Sequence, residues 1–408
     1  MRVLMAANWW YRRGGLGAVM LDEAAGLTER GHEVIPFASA HPQNLSSPWS
    51  RFFPPFTETA EGGLGLGPFR RATAVIDLIH NRTASRLFGQ LLDTARPDIV
   101  HLHNPSRQLS PSVVGAAVRR RIPVVMTLHD YALICPQGFL LKGNRAPCGP
   151  PNCVHGVVIH AVANRCVKDS VLLSGVAATE HLIHRAAGSY VRRASRFIAP
   201  SRFLAQTVAH AGIDRRRIVF LPNGLRPGPE PEAPPTEGGH ILFAGTLARA
   251  KGVGTLLDAA RLTPTIRYVV AGDGPDGADL RSGAPENVEF VGHQDPGPLE
   301  RLRAMAVAVA APSLGFENAQ LAILEAMRSG RPVVTTAIGG QVELLEEGGG
   351  ILLPVADATA LAGALQQLWS DRSMASEMGR AGRRSAVDRF DLDRHLDGLL
   401  EIYREVID

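Results

Sequence analysis

The sequence predicts an α/β protein built of two doubly wound halves, and three observations carry that expectation. Short apolar, β-branched runs alternate with longer helix-patterned segments from end to end, the pattern of parallel sheets flanked by helices. The chain has 408 residues, more than a single hydrophobic core usually supports. After Leu225 it reads RPGPEPEAPPTEGG, where dense proline and missing apolar side chains mark a linker or exposed loop. Beyond that segment the alternation starts afresh.

In the first half the strands are read at 2–7, 33–38, 98–103, 123–129, 196–199 and 218–222, with helices over 16–30, 73–95 and 111–120. In the second half they are read at 240–245, 267–272, 287–292, 307–313, 332–336 and 350–354. The expected domains are 1–203 and 204–390, with an amphipathic helix over 391–408 (Leu392, Leu399, Ile402, Tyr403, Val406) packing back on the first. Two such halves facing each other across a cleft would bind ligand at the carboxyl ends of their strands.

Composition narrows the function. Hydrophobic content of 45%, 20% charge and 42 glycines describe a globular chain, not a disordered or fibrous one. A net charge of +4 is too small to indicate a nucleic-acid binder. Of the 43 basic residues only Lys142, Lys168 and Lys251 are lysines. The opening MRVLMAANWWYRR has the wrong order and length for a signal peptide, and no stretch approaches the roughly 20 apolar residues of a membrane span. A cytoplasmic protein is expected. Trp9, Trp10, Trp49, Phe52, Phe53, Phe56 and Phe69, mixed with Arg12, Arg13, Arg51, Arg70 and Arg71, suit either an acceptor pocket or peripheral contact with the inner face of the membrane.

The densest chemical signal is SLGFENAQLAILEAMRSGRPVV, from Ser313 to Val334. A buried strand ends at Ser313, Glu317 follows in a loop, and 319–329 reads as a helix closed by Gly330. The amino end of that helix offers unpaired N–H groups and a positive dipole, which suit a phosphate. Glu317 and Glu325 would stand about 12 Å apart on a continuous helix. The two carboxyls of a glycosidase lie roughly 5 to 9.5 Å apart, so the spacing better suits two ends of one long ligand.

This stretch resembles the Glu-x7-Glu signature of the retaining glycosyltransferases of family 4, and IGGQVELLEEGGGILLPVAD downstream is also similar to that family. The resemblance implies two Rossmann-like domains in the glycosyltransferase-B arrangement and transfer of a hexosyl group from a UDP- or GDP-sugar, with no catalytic metal. It assigns Glu317 to the transferred sugar near the reacting centre and Glu325 to the nucleotide ribose. It also has the backbone of Asn318, Ala319, Gln320 and Leu321 presented to the donor. In HILFAGTLARAKG the family places Gly-Arg and then a lysine on the diphosphate; here Gly245 is followed by Thr246, leaving Lys251 as the main charge and Arg249 as a substitute. The pair Gly14 and Gly15 would close over phosphate and acceptor, and the turn of Gly272 and Gly274 in GDGPDG would lie beside the base.

His129 of the HDY motif matches the family histidine that contacts the donor sugar, and His103 is a candidate for the acceptor pocket. His101 and His103 share one strand face, and their spacing also suits metal ligands, although no carboxylate pattern accompanies them. Cys135, Cys148, Cys153 and Cys166 are separated by twelve, four and twelve residues. They are similar to a cysteine-containing insertion found after HDY in a subset of the family. A structural four-thiolate zinc site is the expectation, with disulfides or independent buried thiols as alternatives. The acceptor is expected to be a carbohydrate, a lipid-linked glycan or a small molecule, not nucleic acid. An NAD-dependent oxidoreductase or epimerase is the competing enzyme; against it, GDGPDG does not follow the first strand and no YxxxK stands at a matching place. A non-catalytic sugar-nucleotide binder is the competing non-enzyme, suggested by Thr246.

Overall fold

A computed structural model describes residues 1–56, 77–104, 108–143, 146–149, 152–228 and 235–408. The chain forms two compact units, one of Met1–Phe139, Gly149–Leu221 and Asp393–Asp408, the other of Leu140–Cys148 and Pro222–Leu392. The boundary expected at 203/204 therefore moves to 221/222. The reason is that 218–220 forms a strand paired in parallel with 197–199, completing the first sheet.

The strands in chain order are β1 (Arg2–Ala7), β2 (Glu33–Phe37), β3 (Ile99–His103), β4 (Val124–Thr127), β5 (Leu141–Lys142), β6 (Ala146–Pro147), β7 (Arg196–Ala199) and β8 (Ile218–Phe220). β5 and β6 form a small antiparallel ribbon; the others make a parallel sheet in the order β2-β1-β3-β4-β7-β8. β1, β3 and β4 occupy its middle and read as near-continuous apolar runs, as strands covered on both faces must. β2 lies at the edge, where Pro36 can withhold an N–H without breaking a ladder.

Among the helices, the one expected over 73–95 is interrupted: 73–76 lie outside the described residues, 77–79 are helical, 80–81 are not, and a helix Arg82–Ala95 then starts, with Asn81 capping it by accepting from the N–H of Ala84 at 2.8 Å. The HNRTAS segment was thus an N-cap signal inside an apparently continuous pattern. The helix Leu392–Ile407 buries Leu396, Leu399, Ile402 and Tyr403, and its Leu396 meets the first-unit helix Gly14–Glu29 where Gly26 leaves room.

In the second unit β9 (His240–Ala244), β10 (Tyr268–Ala271), β11 (Val288–Gly292), β12 (Ala306–Ala311), β13 (Val333–Thr336) and β14 (Gly350–Leu353) make another parallel sheet in the order β11-β10-β9-β12-β13-β14. Apolar clusters cover both faces, one around Ile241, Phe243 and Leu365, the other around Leu242, Val309 and Met327. In each sheet the chain winds outward from the first strand in one direction and then in the other. The carboxyl ends of β1 and β3, and of β9 and β12, therefore flank a topological switch point. Among the described residues no helix is long and apolar enough to cross a membrane.

Candidate functional site

The switch point of the second unit gathers most of the residues singled out from the sequence. Lys251 ends a single 3-10 turn after β9, and Glu317 lies in the loop after β12. Although 66 positions apart, they form an ion pair in which Lys251 Nζ donates to Glu317 Oε1 at 2.6 Å. Ser313 Oγ donates to the same oxygen at 3.1 Å. The loops are tied through their backbones as well, Leu314 N–H donating to the Ala250 carbonyl at 2.8 Å. The N–H of Gly340 donates to the Glu317 carbonyl at 2.8 Å. A Cβ on Gly339 would lie 2.5 Å from that same carbonyl oxygen, so the IGG turn can reach it only as glycine. Both charged side chains of the pair are partly exposed, at 26% for Lys251 and 19% for Glu317, so a ligand can reach them.

The helix that follows is Leu321–Arg328, two residues shorter at its start than the sequence pattern suggested. Gln320 stands at its N-cap, with no side-chain capping bond and no acidic residue in the first turn. Its Oε1 is buried without a hydrogen-bond partner. Asn318 is buried, and Ala319, Gln320 and Leu321 are partly buried. The start of this helix thus keeps the electropositive character of an uncapped amino end, beside a lysine.

Glu325, one turn into the helix, receives a 2.7 Å hydrogen bond from Arg303 Nη2 on one oxygen, Oε2. Arg303 is buried and also pairs with Glu300, whose other oxygen accepts from Ser329 Oγ at 2.8 Å. Arg303 and Ser313 were missed in the sequence because nothing in their local pattern distinguishes them; each is brought to its glutamate by the fold.

Thr246 and the side chain of Arg249 are exposed, and Arg249 makes no ion pair among the described residues. Its backbone N–H is held by Asp276 Oδ2 at 2.6 Å. Gly272 has φ +145, and a Cβ there would come 1.9 Å from the Gly245 carbonyl oxygen. A Cβ on Gly274 would come 2.4 Å from the Leu247 carbonyl oxygen. Loop-on-loop packing thus accounts for both glycines of the GDGPDG turn.

In the first unit, Gly14 and Gly15 do not form a turn before a helix: they are the first residues of the helix Gly14–Glu29. The close approach belongs to Gly17, whose Cβ would meet the Tyr11 carbonyl oxygen at 2.7 Å. Trp9, Tyr11, His41 and Phe56 cluster after β1 and β2, with Tyr11 stacked on His41 at 5.0 Å and the Arg13 guanidinium 5.0 Å over Trp9. Phe69, Arg70 and Arg71 lie outside the described residues.

His129 follows β4 by two residues, and its Nε2 lies 3.0 Å from His103 Nδ1, with the rings stacked. Beneath them is a buried polar cluster that the sequence did not foretell. Glu23 of the helix Gly14–Glu29 has Oε1 3.1 Å from His395 Nε2, and Oε2 3.5 Å from His103 Nε2 and 3.8 Å from His101 Nδ1. His101 Nε2 meets Thr127 Oγ1 at 2.8 Å, and its Nδ1 meets the Tyr403 hydroxyl at 2.6 Å. Burial pushes His101 and His129 down to about 3 and holds His103 well below its ordinary value, so all three rings are neutral near pH 7. The carboxylate that the His-x-His spacing lacked in sequence is supplied by Glu23, and the three residues place their ligand atoms within 4.8 Å of one another.

That triad is the metal-capable group among the described residues, and no cysteine takes part in it. Of the four cysteines expected to share a zinc ion, the three of the first unit, Cys135, Cys153 and Cys166, form no such group. Cys153 and Cys166 are buried in a small apolar cluster with Val158, Ala161 and Ala178. Cys135 is buried in the turn after Tyr131, and Cys148 is partly buried. The same segment helps line a cavity of about 490 Å³ that no motif indicated, bordered by Asn104, Asp130, Gln137, His181, His184 and Tyr190.

Comparison with known proteins bears on this arrangement. The Glycosyltransferase Family 4 profile matches residues 13–228, and the Glycosyl transferases group 1 profile matches 238–371. A D-inositol 3-phosphate glycosyltransferase of Mycobacterium leprae is 33% identical over 97% of this chain and 89% of its own. The sucrose-phosphate synthase structure from Thermosynechococcus elongatus superposes with a TM-score of 0.72 at 19% identity, covering 99% and 98% of the two chains. Anabaena HepE in complex with UDP-glucose superposes with a TM-score of 0.68 at 18% identity, covering 99% and 100%. The oxidoreductase and epimerase reading finds no support among them.

Proposed function

The chain belongs to glycosyltransferase family 4, and we propose that it transfers a hexosyl group from a UDP- or GDP-sugar to an acceptor with retention of anomeric configuration. The observation that carries this reading is the Lys251–Glu317 pair beside the uncapped start of the Leu321 helix. A lysine and a helix amino end together offer positive potential where a leaving diphosphate gathers negative charge. Glu317, already held on one oxygen, supplies the other toward a sugar whose anomeric carbon turns positive. Arg303 orients Glu325 in the same way, leaving its second oxygen for the ribose hydroxyls. Backbone N–H groups of Asn318 to Leu321 complete the donor cradle, with the exposed side chain of Arg249 as a further charge for a phosphate.

The first unit takes the acceptor in this reading. The start of the Gly14 helix and the Trp9, Tyr11, His41 and Phe56 cluster suit the flat apolar face of a sugar ring, and His129 contacts the transferred sugar. The acceptor classes remain a carbohydrate, a lipid-linked glycan or a small molecule. The reaction is placed in glycan or natural-product biosynthesis in the cytoplasm, and the aromatic and arginine side chains near β1 favour peripheral membrane contact when the acceptor is lipid-linked.

The test is thermal stabilisation of the purified protein by a panel of UDP- and GDP-sugars. A true donor at a hundred times its dissociation constant adds about 2.7 kcal/mol, and Lys251→Ala is expected to abolish that shift. If none of the panel stabilises the protein, the nucleotide-sugar assignment falls.

A further inference from the structure

We propose that Glu23 sets the tautomer of His129 through His103, so that His129 keeps a bare Nδ1 as a hydrogen-bond acceptor for a hydroxyl of the transferred sugar. The last clause rests on the reading of His129 as a sugar contact; the rest follows from proton accounting inside one buried cluster.

Glu23 is 1% exposed, and its carboxylate needs donors from the protein. Four groups face it or its neighbours: His395, His103, His101 and Tyr403. Tyr403 is buried and has its pKa raised well above the ordinary value by burial and by Glu23, so it keeps its proton. Among the described residues His101 Nδ1, at 2.6 Å, is the one hydrogen-bond partner of that hydroxyl, so the hydrogen goes there, and His101 then carries its own proton on Nε2, toward Thr127 Oγ1. With Nδ1 so occupied, His101 has no proton to give Glu23. The carboxylate is left with His395 Nε2 on one oxygen and His103 Nε2 on the other.

Glu23 Oε2 and His103 Nε2 are both buried with no hydrogen-bond partner among the described residues, and they lie 3.5 Å apart, nearer than the 3.8 Å from the same oxygen to His101 Nδ1. A proton on His103 Nε2 turns this approach into a charge-assisted contact and relieves both unpartnered atoms at once. A neutral imidazole carries one N–H only, so His103 Nδ1 is then bare. The 3.0 Å contact between His103 Nδ1 and His129 Nε2 must therefore take its hydrogen from His129. His129 is thus a donor inward and, at Nδ1, an acceptor with no hydrogen-bond partner among the described residues. A carboxylate orienting a histidine through the histidine's far nitrogen is an ordinary device for fixing which atom faces a ligand; here it acts through one ring upon a second. Glu23 is accordingly a positioning residue, and so is His103.

The experiment is side-chain ¹⁵N NMR of the full chain labelled at histidine, with His129 assigned by its loss in His129→Asn. The wild type is expected to show His129 protonated at Nε2 and bare at Nδ1, unchanged from pH 6 to 8. Glu23→Gln offers an amide that both donates and accepts, and is expected to give mixed or inverted tautomers at His103 and His129, with kcat for sugar transfer lowered about tenfold. Tyr403→Phe frees His101 Nδ1, 3.8 Å from the same carboxylate oxygen, to carry a proton toward Glu23 in competition with His103, and is expected to shift the His129 tautomer in the same direction but by less. Wild-type His129 protonated at Nδ1 would overturn the proposal, even if Glu23→Gln fails to fold. So would stoichiometric zinc in the purified protein that Glu23→Gln removes, since the cluster would then be a metal centre. The tautomer is read with no sugar present, so its failure and a failure to bind nucleotide sugars are separate results.

Discussion

The two units share a doubly wound parallel sheet, yet their switch points are furnished in opposite ways. In the second, charged groups pair within reach of solvent: Lys251 with Glu317, both partly exposed, and the buried Arg303 with the partly exposed Glu325. In the first, Glu23 is buried among histidines held neutral, with Tyr403 closing the cluster from the C-terminal helix. The lesson is that one scaffold places side chains at the same topological point while burial decides their chemistry. A partly exposed ion pair such as Lys251–Glu317 can exchange partners with an arriving anion at modest cost. A buried cluster of neutral rings around one carboxylate does not exchange, but it fixes the direction of each hydrogen bond.

The sharpest way to break this contrast is at the exposed pair. Lys251→Ala and Glu317→Gln are each expected to lower kcat by about 10² to 10³, the range for losing one preorganised charge or donor at a reacting centre. Thermal melting should fall little, because neither side chain is packed in a core. Near-normal turnover in either variant, measured with the donor that best stabilises the protein, would remove that residue from the reaction.

A smaller effect is expected at Arg303. Arg303→Met keeps much of the buried stem but releases Glu325 and leaves Glu300 with Ser329 and Arg328 alone. The donor KM should rise about tenfold while kcat changes less, since the ribose is remote from the bond being broken. An unchanged KM would show that the Arg303–Glu325 pair serves only stability.

The third prediction separates the units by pH. A histidine whose folded pKa lies below its unfolded value binds fewer protons when folded. Its contribution to stability is present above about pH 6.5 and is lost as pH falls toward the folded value. For His101 and His129, both near 3, the loss at pH 5 is about 2 kcal/mol each. In the second unit His240, held near 4, is the counterpart. Lowering pH from 7 to 5 should therefore raise hydrogen exchange in β3 and β4 before β9 and β12. Equal acceleration in both sheets would mean that the first-unit cluster is solvated or already charged.

Much of the fold was legible because parallel-sheet strands read as short apolar runs between helical patterns, and the strands of both six-stranded sheets were read within a few residues on that basis, including half-covered edge strands such as β8, β11 and β14. The Ser313 to Val334 segment was legible for a related reason: a loop glutamate, a helix start and a second glutamate are local features. Other elements needed three dimensions. The 73–95 pattern hid the cap at Asn81, and the helix read over 16–30 already begins at Gly14, because periodicity does not mark where a helix starts. The resemblance to a cysteine-containing insertion left zinc, disulfides and independent buried thiols open, and Cys153 and Cys166 sit in an apolar cluster.

What the sequence determined by itself was the alternation of elements and the candidate residues with ligand chemistry at strand ends, because each is set within a few neighbouring positions; the middle of the expected linker, 229–234, lies outside the described residues. What only the tertiary structure decided was pairing across distance. Lys251 meets Glu317 across 66 residues, Arg303 meets Glu325 across 22, and Glu23 meets His395 across 372. A proton's position or a carboxylate's orientation depends on whichever group the folded chain brings within about 3 Å, and no local pattern carries that distance.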